Sequence, residues 1–183
     1  MSSTACPLLT GSRGQWLPSV DYGRDFAKNR KAVRGKDSWK FERRQHFAED
    51  TPGRNAFGRG DWKAAMDILE GRRESLLRSV RADQENRTTF YRVRIVEEPL
   101  SPYLQWELRS LRVQAECGKP TRVVGAEAVS GCESDALLPE VVVLGGQILY
   151  EVVYDASGVP QGAFRHTDAE VLKNWEMFIE NLY

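Results

Sequence analysis

FYRVRIVEEPLSPYLQWELRSLRVQAECG, residues Phe90–Gly118, is the stretch that decides the fold. Val93 and Ile95 alternate with Arg92 and Arg94, the period-2 pattern of a half-buried strand. Pro99 and Pro102 end that strand, because neither donates a ladder hydrogen bond and each steers the preceding residue away from helix. Ser101-Pro102 then predicts a helix start, with a hydroxyl to cap the free amides and proline at the first helical position. Leu104, Leu108, Leu111 and Ala115 recur at helical spacing and are expected to face a sheet, with Gln105, Arg109, Arg112 and Glu116 as the wet stripe. Gly118 ends the helix, and Lys119–Val124 reads as a second strand. Strand, helix, strand is a βαβ crossover, so the two strands are expected to run parallel.

One patch of this helix carries unusual chemistry. Tyr103, Trp106, Glu107 and Ser110 gather near its start, directly after Glu97 and Glu98. Aromatic residues at helical spacing usually pack in a core. The functional alternative is a ligand or partner surface at the carboxyl end of a parallel strand, where open α/β sheets place their sites.

Upstream, Ser38–Glu49 (SWKFERRQHFAE) alternates as a strand with Trp39, Phe41 and Phe47 on one side and Glu42, Arg44 and His46 on the other. That second row reads as solvated surface or, alternatively, as the polar floor of a site. Thr51–Arg59 is a turn-rich connection, and Asp61 caps a single helix running to about Arg81. Downstream, Leu137–Leu144 with its Val141–Leu144 run is a strand buried on both faces. Gly145-Gly146 is a hairpin signal, Gln147–Tyr154 and Val159–Phe164 complete a meander, and Asp168 caps a final helix. The expected fold is α+β, a mixed sheet of five or six strands with one βαβ crossover, an antiparallel meander and three to four helices. Residues 1–38 are expected to be a mobile or loosely docked extension, with Asp21–Lys31 a short helix. Residues 39–183 then form one domain, 39–88 supplying a strand plus a long helix and 89–183 the remainder.

The chain has 183 residues with 26 basic and 26 acidic side chains, long enough for one ordinary core. Residues 1–80 hold 16 Lys/Arg and 10 Asp/Glu, a net +6, and the second part is net −6. The basic half raises nucleic-acid binding as one reading, but the arginines of the helix from Asp61 to about Arg81 are matched by acids and no aromatic rings alternate with them, which argues against nucleic acid as a partner. Three cysteines without CxxC spacing argue against a disulfide framework and a cysteine-rich zinc site. The sequence shows no membrane-length apolar run and no signal-peptide core, so a cytoplasmic protein without a membrane partner is expected. It also lacks a phosphate loop, a GxGxxG turn and a GxSxG elbow. The two histidines, His46 and His166, rule out a three-histidine metal site within one chain, and no cofactor or metal is expected.

Four segments, KFERRQHFAE (Lys40–Glu49), AFGRGDW (Ala56–Trp62), RVRIVEEPLSPYLQWEL (Arg92–Leu108) and LPEVVVLGGQILYEVVYDASG (Leu138–Gly158), together resemble an actinobacterial family of domains of unknown function. Members of that family are often encoded beside helix-turn-helix regulators or in specialised-metabolite loci. Phe90–Tyr183 also resembles half of a phospholipase D-type domain, non-catalytic versions of which sense effectors in some winged-helix regulators. The catalytic H-x-K-x4-D pattern of that superfamily is missing, since Asp168 stands where lysine would follow His166. The family resemblance supplies no established activity; the function expected first is a non-enzymatic regulatory or accessory module that binds a protein partner or a small ligand, with a helix-turn-helix regulator as one such partner. The expected surface comprises Tyr103, Trp106 and Glu107 with Glu97, Glu98, Glu42, Arg44 and His46. The alternative is a carboxylate-dependent enzyme of a specialised-metabolite pathway, with Glu107 or Glu97 as general base and Arg44 orienting an anionic substrate.

Overall fold

A computed structural model describes residues 6–9 and 14–183. A seven-stranded sheet runs through the centre, in the order β1-β7-β6-β5-β2-β3-β4. In chain order the elements are β1 (Gln15–Pro18), α1 (Ser19–Ala32), β2 (Ser38–Glu42), α2 (Pro52–Gly58), α3 (Trp62–Gly71), α4 (Arg73–Glu85), β3 (Phe90–Val96), α5 (Pro102–Glu116), β4 (Thr121–Gly125), β5 (Glu140–Leu144), β6 (Ile148–Tyr154), β7 (Pro160–His166) and α6 (Ala169–Leu182). Two short 3-10 turns lie between β4 and β5.

The crossover read from Phe90–Gly118 is present. β3 and β4 are parallel, and α5 opens with Ser101 Oγ accepting the Leu104 amide at 3.2 Å behind Pro102. Gly118 closes it at φ 98°. The meander is present as well: β5, β6 and β7 pair antiparallel in sequence order, and Gly145 and Gly146 turn the hairpin at φ 52° and 62°. β5 is buried along its whole length, as its valine run requires.

Several expectations need correcting. The sheet has seven strands rather than five or six, and the described residues hold six α-helices rather than three to four. β2 also pairs parallel with β3, so there are two crossovers, the first carrying α2, α3 and α4. The β2 strand stops at Glu42, and Arg44 and His46 belong to the loop beyond it. Thr51–Arg59 is not a bare turn: Thr51 Oγ1 accepts the Arg54 amide at 3.3 Å and Pro52 starts α2. The single helix from Asp61 is two helices, broken at Gly71-Arg72, where glycine weakens the helix. Ala115 is exposed, and the buried stripe of α5 is wider than the leucine spacing implied, taking in Tyr103, Trp106, Glu107 and Val113. Cys6 and Cys132 form a disulfide across a sequence separation of 126 residues, too distant for spacing to reveal.

The N-terminal part is joined to the sheet. β1 pairs antiparallel with β7, and α1 packs Tyr22 and Phe26 against Tyr150. Residues 1–5 and 10–13 of the expected mobile extension lie outside the described residues.

Side-chain alternation gives the sheet two different faces. One is apolar: Phe41, Val93, Ile95, Val141 and Val143 pack beneath Trp175 and Phe178 of α6. The other is covered by α1 over β5–β7 and by the α2–α5 group over β2–β4, with apolar clusters at both ends and charged residues between them.

Gly162 tests the docking of β1. It sits at φ 153°, and a Cβ there would collide with the Leu17 carbonyl oxygen across the β1–β7 pair. Gly162→Ala is expected to cost about 2 kcal/mol, lowering the melting temperature by about 4–8 °C, with amide-exchange protection lost over residues 15–18. Unchanged melting and protection would show that β1 is not seated on β7.

Candidate functional site

The second sheet face is where the chemistry lies. On β2 the side chains of Lys40 and Glu42 point to this face, opposite Arg92 and Arg94 of parallel β3. Glu140 opens β5, whose Val142 faces Lys40 in register. Positions that a doubly covered sheet normally fills with valine or isoleucine are therefore a row of opposite charges.

The row is closed by ion pairs. Lys40 Nζ lies 2.5 Å from Glu42 Oε1, and Arg92 Nη1 lies 3.3 Å from Glu42 Oε2. Arg94, expected on the wet side of a half-buried strand, is completely buried. Its Nε and Nη2 lie 2.8 and 2.7 Å from Glu107 Oε2 on α5. Its Nη1 donates to the Ile95 carbonyl at 3.0 Å, and the guanidinium lies 5.4 Å from the centroid of the Phe47 ring. Tyr103 Oη donates to Glu107 Oε1 at 3.3 Å.

The eight residues of the expected surface divide three ways. Tyr103, Trp106, Glu107 and Glu42 are all buried. Tyr103, Glu107 and Glu42 converge on Arg94 or its neighbours, while Trp106 stacks on Phe57 at 5.7 Å in the cluster between α2, α3 and α5. These four offer no area to a protein partner. Arg44 and His46 stand in the loop after β2: the Arg44 guanidinium lies over Tyr154, 5.3 Å from the ring centroid, and His46 packs on Tyr103 at 4.7 Å. Burial, then Arg54 and Arg44, lower the His46 pKa. Glu97 is half exposed and pairs with Arg43 at 2.7 Å, while Glu98 is exposed in the turn before α5. The acids proposed as a general base thus have separate fates, Glu107 held by Arg94 and Glu97 by Arg43.

Glu140 carries no signal in the sequence, where it reads as one more acid before a strand. It is buried, and its Oε1 accepts the backbone amides of Arg43 and Arg44 at 2.8 and 2.5 Å. Its Oε2 has no hydrogen-bond partner among the described residues. Glu140 lines a cavity of about 340 Å³ between α1 and the sheet, with Tyr22, Phe26, Phe90 and Tyr154 as aromatic walls and Lys40 and Arg92 as cations. Phe26, Phe90 and Arg92 also line a second chamber of about 420 Å³ between α1 and α4. The two helices are bridged there by Arg30 and Asp83 at 2.5 Å. Among the described residues no group of three or more His, Cys, Asp or Glu is arranged to hold a metal ion, and no helix is long and apolar enough to cross a membrane.

The buried acids titrate in opposite directions. Burial pushes Glu42 up, but Arg92, Lys40 and Arg94 outweigh it and hold the carboxyl at about 2. Burial and then the Glu42 carboxylate push Glu140 up to about 7, against the pull of the two amides. Burial, opposed by Arg94 and reinforced by Glu42, also raises Glu107.

Two measurements follow from this arrangement. Glu140 binds a proton in the native state that the unfolded chain releases from about pH 4.5, so stability falls as pH rises from there to about 7. Glu140→Gln removes that loss: the variant should gain about 3 kcal/mol on the wild type across this window in urea melts. The Glu42 contribution has the reverse sign, present above the ordinary carboxylate range and lost as pH falls towards about 2. Separately, Arg94→Met leaves the Glu107 charge buried without its cation and should cost about 3–5 kcal/mol, much of it recovered by adding Glu107→Leu. If the double variant is no more stable than the single one, the pair is not the constraint.

A family model described as a domain of unknown function, DUF6879, matches residues 25–183. A search of curated proteins finds no matching relative. The matched span starts within α1 and contains the buried charged row, Glu140 and, apart from Tyr22, the aromatic walls of the cavity. The chain belongs to the DUF6879 family, and every charged group that meets on the inner face of its sheet lies inside the family domain.

Proposed function

We propose that this protein is a non-enzymatic binding module that takes a small ligand into the cavity between α1 and the sheet, at Glu140. The observation that carries this reading is the buried Glu140 Oε2, which has no hydrogen-bond partner among the described residues at the wall of a 340 Å³ cavity. A buried polar atom left unsatisfied costs about 1–3 kcal/mol, and a ligand group hydrogen-bonded to it would relieve that cost. The cavity matches the general character of small-molecule sites, which are concave and mostly apolar with a few convergent polar groups. A regulatory or accessory role, with a helix-turn-helix regulator as partner, is supported by the sequence resemblance. The partner surface would then be the exposed loop beyond β2 and the rim of α2, where His46 and Arg54 border a shallow open basin.

A second reading uses the same residue. A carboxyl near pH 7 inside a cavity suits a general base, so a carboxylate-dependent enzyme would act through Glu140 rather than Glu107 or Glu97. Turnover of a bound compound that disappears in Glu140→Gln, with binding retained, would favour this second reading.

Val152 lines the cavity opposite Glu140 in the β5–β6 register, and Val152→Phe places a ring in the space. The variant is expected to keep the melting temperature of the wild type within a few degrees. Fragments that compete for one site on the wild type in ligand-observed NMR should no longer bind it. Retention of the same competing set by a folded Val152→Phe would remove the cavity as the site.

A further inference from the structure

We propose that the ligand is a heteroaromatic phosphate monoester of the nucleoside monophosphate class, its ring in the chamber at Glu140 and its phosphate in the adjoining chamber between α1 and α4. This rests on the cavity reading above and adds the chemistry of the ligand.

The second chamber is strongly basic. Arg30, Lys31, Arg72, Arg92 and Lys119 line it against one acid, Asp83. Asp83 is engaged by Arg30 at 2.5 Å, and Arg92 is partly neutralised by Glu42 at 3.3 Å. Lys31, Arg72 and Lys119 have no carboxylate within ion-pair distance among the described residues, unlike most of the exposed arginines of α4 and α5. Lys119 is the informative member. Its ammonium donates to Ser79 Oγ at 3.0 Å across the chamber, and burial lowers its pKa. A half-buried cation held by a neutral hydroxyl gains more from an incoming anion than a solvated one does. Several positive charges together with the polar groups of Ser79, Gln114 and Thr121 suit a doubly charged group with three acceptor oxygens better than a single carboxylate.

The first chamber has the complementary character. Four aromatic rings line it, and the buried Glu140 Oε2 at its wall has no hydrogen-bond partner among the described residues. A heteroaromatic ring that stacks on tyrosine or phenylalanine and exchanges a hydrogen bond with Glu140 Oε2, through a ring nitrogen when the carboxyl is protonated or an N–H when it is ionised, satisfies both requirements; a purely aliphatic ligand satisfies neither. Phe26, Phe90 and Arg92 line both chambers, so the proposed ligand would pass beside these three side chains, with Arg92 next to the link between ring and phosphate.

The test is isothermal titration of the full chain with the four common nucleoside 5′-monophosphates, their nucleosides and inorganic phosphate. At least one monophosphate should bind about tenfold or more tightly than its nucleoside and than inorganic phosphate, and its affinity should fall with added salt. Lys119→Ala, and independently Arg72→Ala at the exposed rim, should bring the monophosphate down to the level of its nucleoside while leaving nucleoside binding unchanged. Val152→Phe should abolish both. If nucleoside and monophosphate bind equally and both basic-chamber variants are silent, the phosphate assignment is overturned and the cavity reading stands. If none of these compounds binds but unrelated fragments do so in a Val152→Phe-sensitive way, the ligand class is wrong and the cavity is right. If no compound of any kind responds to Val152→Phe, both are wrong.

Discussion

A completely buried guanidinium is the constraint around which this fold is arranged. Removing a charge from water costs several kcal/mol even after relaxation, so Arg94 is tolerated only where its donors are met. Glu107 accepts from Nε and pairs ionically with Nη2, the Ile95 carbonyl accepts from Nη1, and the Phe47 ring covers one face. Those partners come from β3, from α5 and from the loop after β2. Satisfying Arg94 therefore fixes how α5 lies on the sheet and where the chain goes when β2 ends. The Ser101-Pro102 start and the Gly118 stop set the length of α5; the ion pair with Glu107 sets its placement.

The same constraint accounts for the space beside it. An apolar row on β2, β3 and β5 would let covering helices approach the sheet closely, as α6 does on the opposite face with Trp175 and Phe178 against Phe41. On the inner face, Lys40, Glu42, Arg92 and Glu140 need one another rather than a helix. α1 then packs on the apolar cluster of Val142, Leu144 and Tyr150 at one side, and the α2–α5 group packs at the other. The chambers lie in the gap between these two covers, bridged by Arg30 and Asp83.

The legible parts of the sequence were those whose causes are local. A proline pair, a serine cap, a terminating glycine, a valine run and a double-glycine turn each act within a few residues, and they correctly placed β3, α5, β4 and the β5–β7 meander. The illegible parts depend on partners far along the chain. Arg92 and Arg94 alternate with apolar residues and so read as a wet face; the burial of Arg94 and the partial burial of Arg92 depend on Glu107 and Glu42, which sequence periodicity cannot associate with them. Glu42 falls by alternation in a polar row with Arg44 and His46, although β2 ends before either. Glu140 showed no signal at all, because its importance comes from two backbone amides and a cavity formed by α1. The disulfide between Cys6 and Cys132 escaped for the same reason. Of the expected surface, Tyr103, Glu107 and Glu42 lie together around Arg94 and are buried there.

Glu42 joins the structural part of this network to the chemical part. Arg92 and Lys40, which hold it ionised, both line the chamber at Glu140, and its own charge is one reason the Glu140 carboxyl stays protonated to about pH 7. The same charge acts on Glu107, the residue that positions α5. A group arriving beside Arg92 competes with Glu42 for its guanidinium, and any loosening of that pair changes the field at both neighbouring acids. The inner row thus has two roles that share a residue: Arg94 and Glu107 hold α5 to the sheet, and Lys40, Arg92 and Glu140 present charge to the cavity. Replacing Glu42 with an apolar residue would affect both at once, leaving Lys40 and Arg92 without their anion while removing the repulsion that raises Glu140. Lys40, Glu42, Arg92, Arg94 and Glu140 on the sheet, with Glu107 of α5, thus act as one coupled set where a doubly covered sheet usually carries valine.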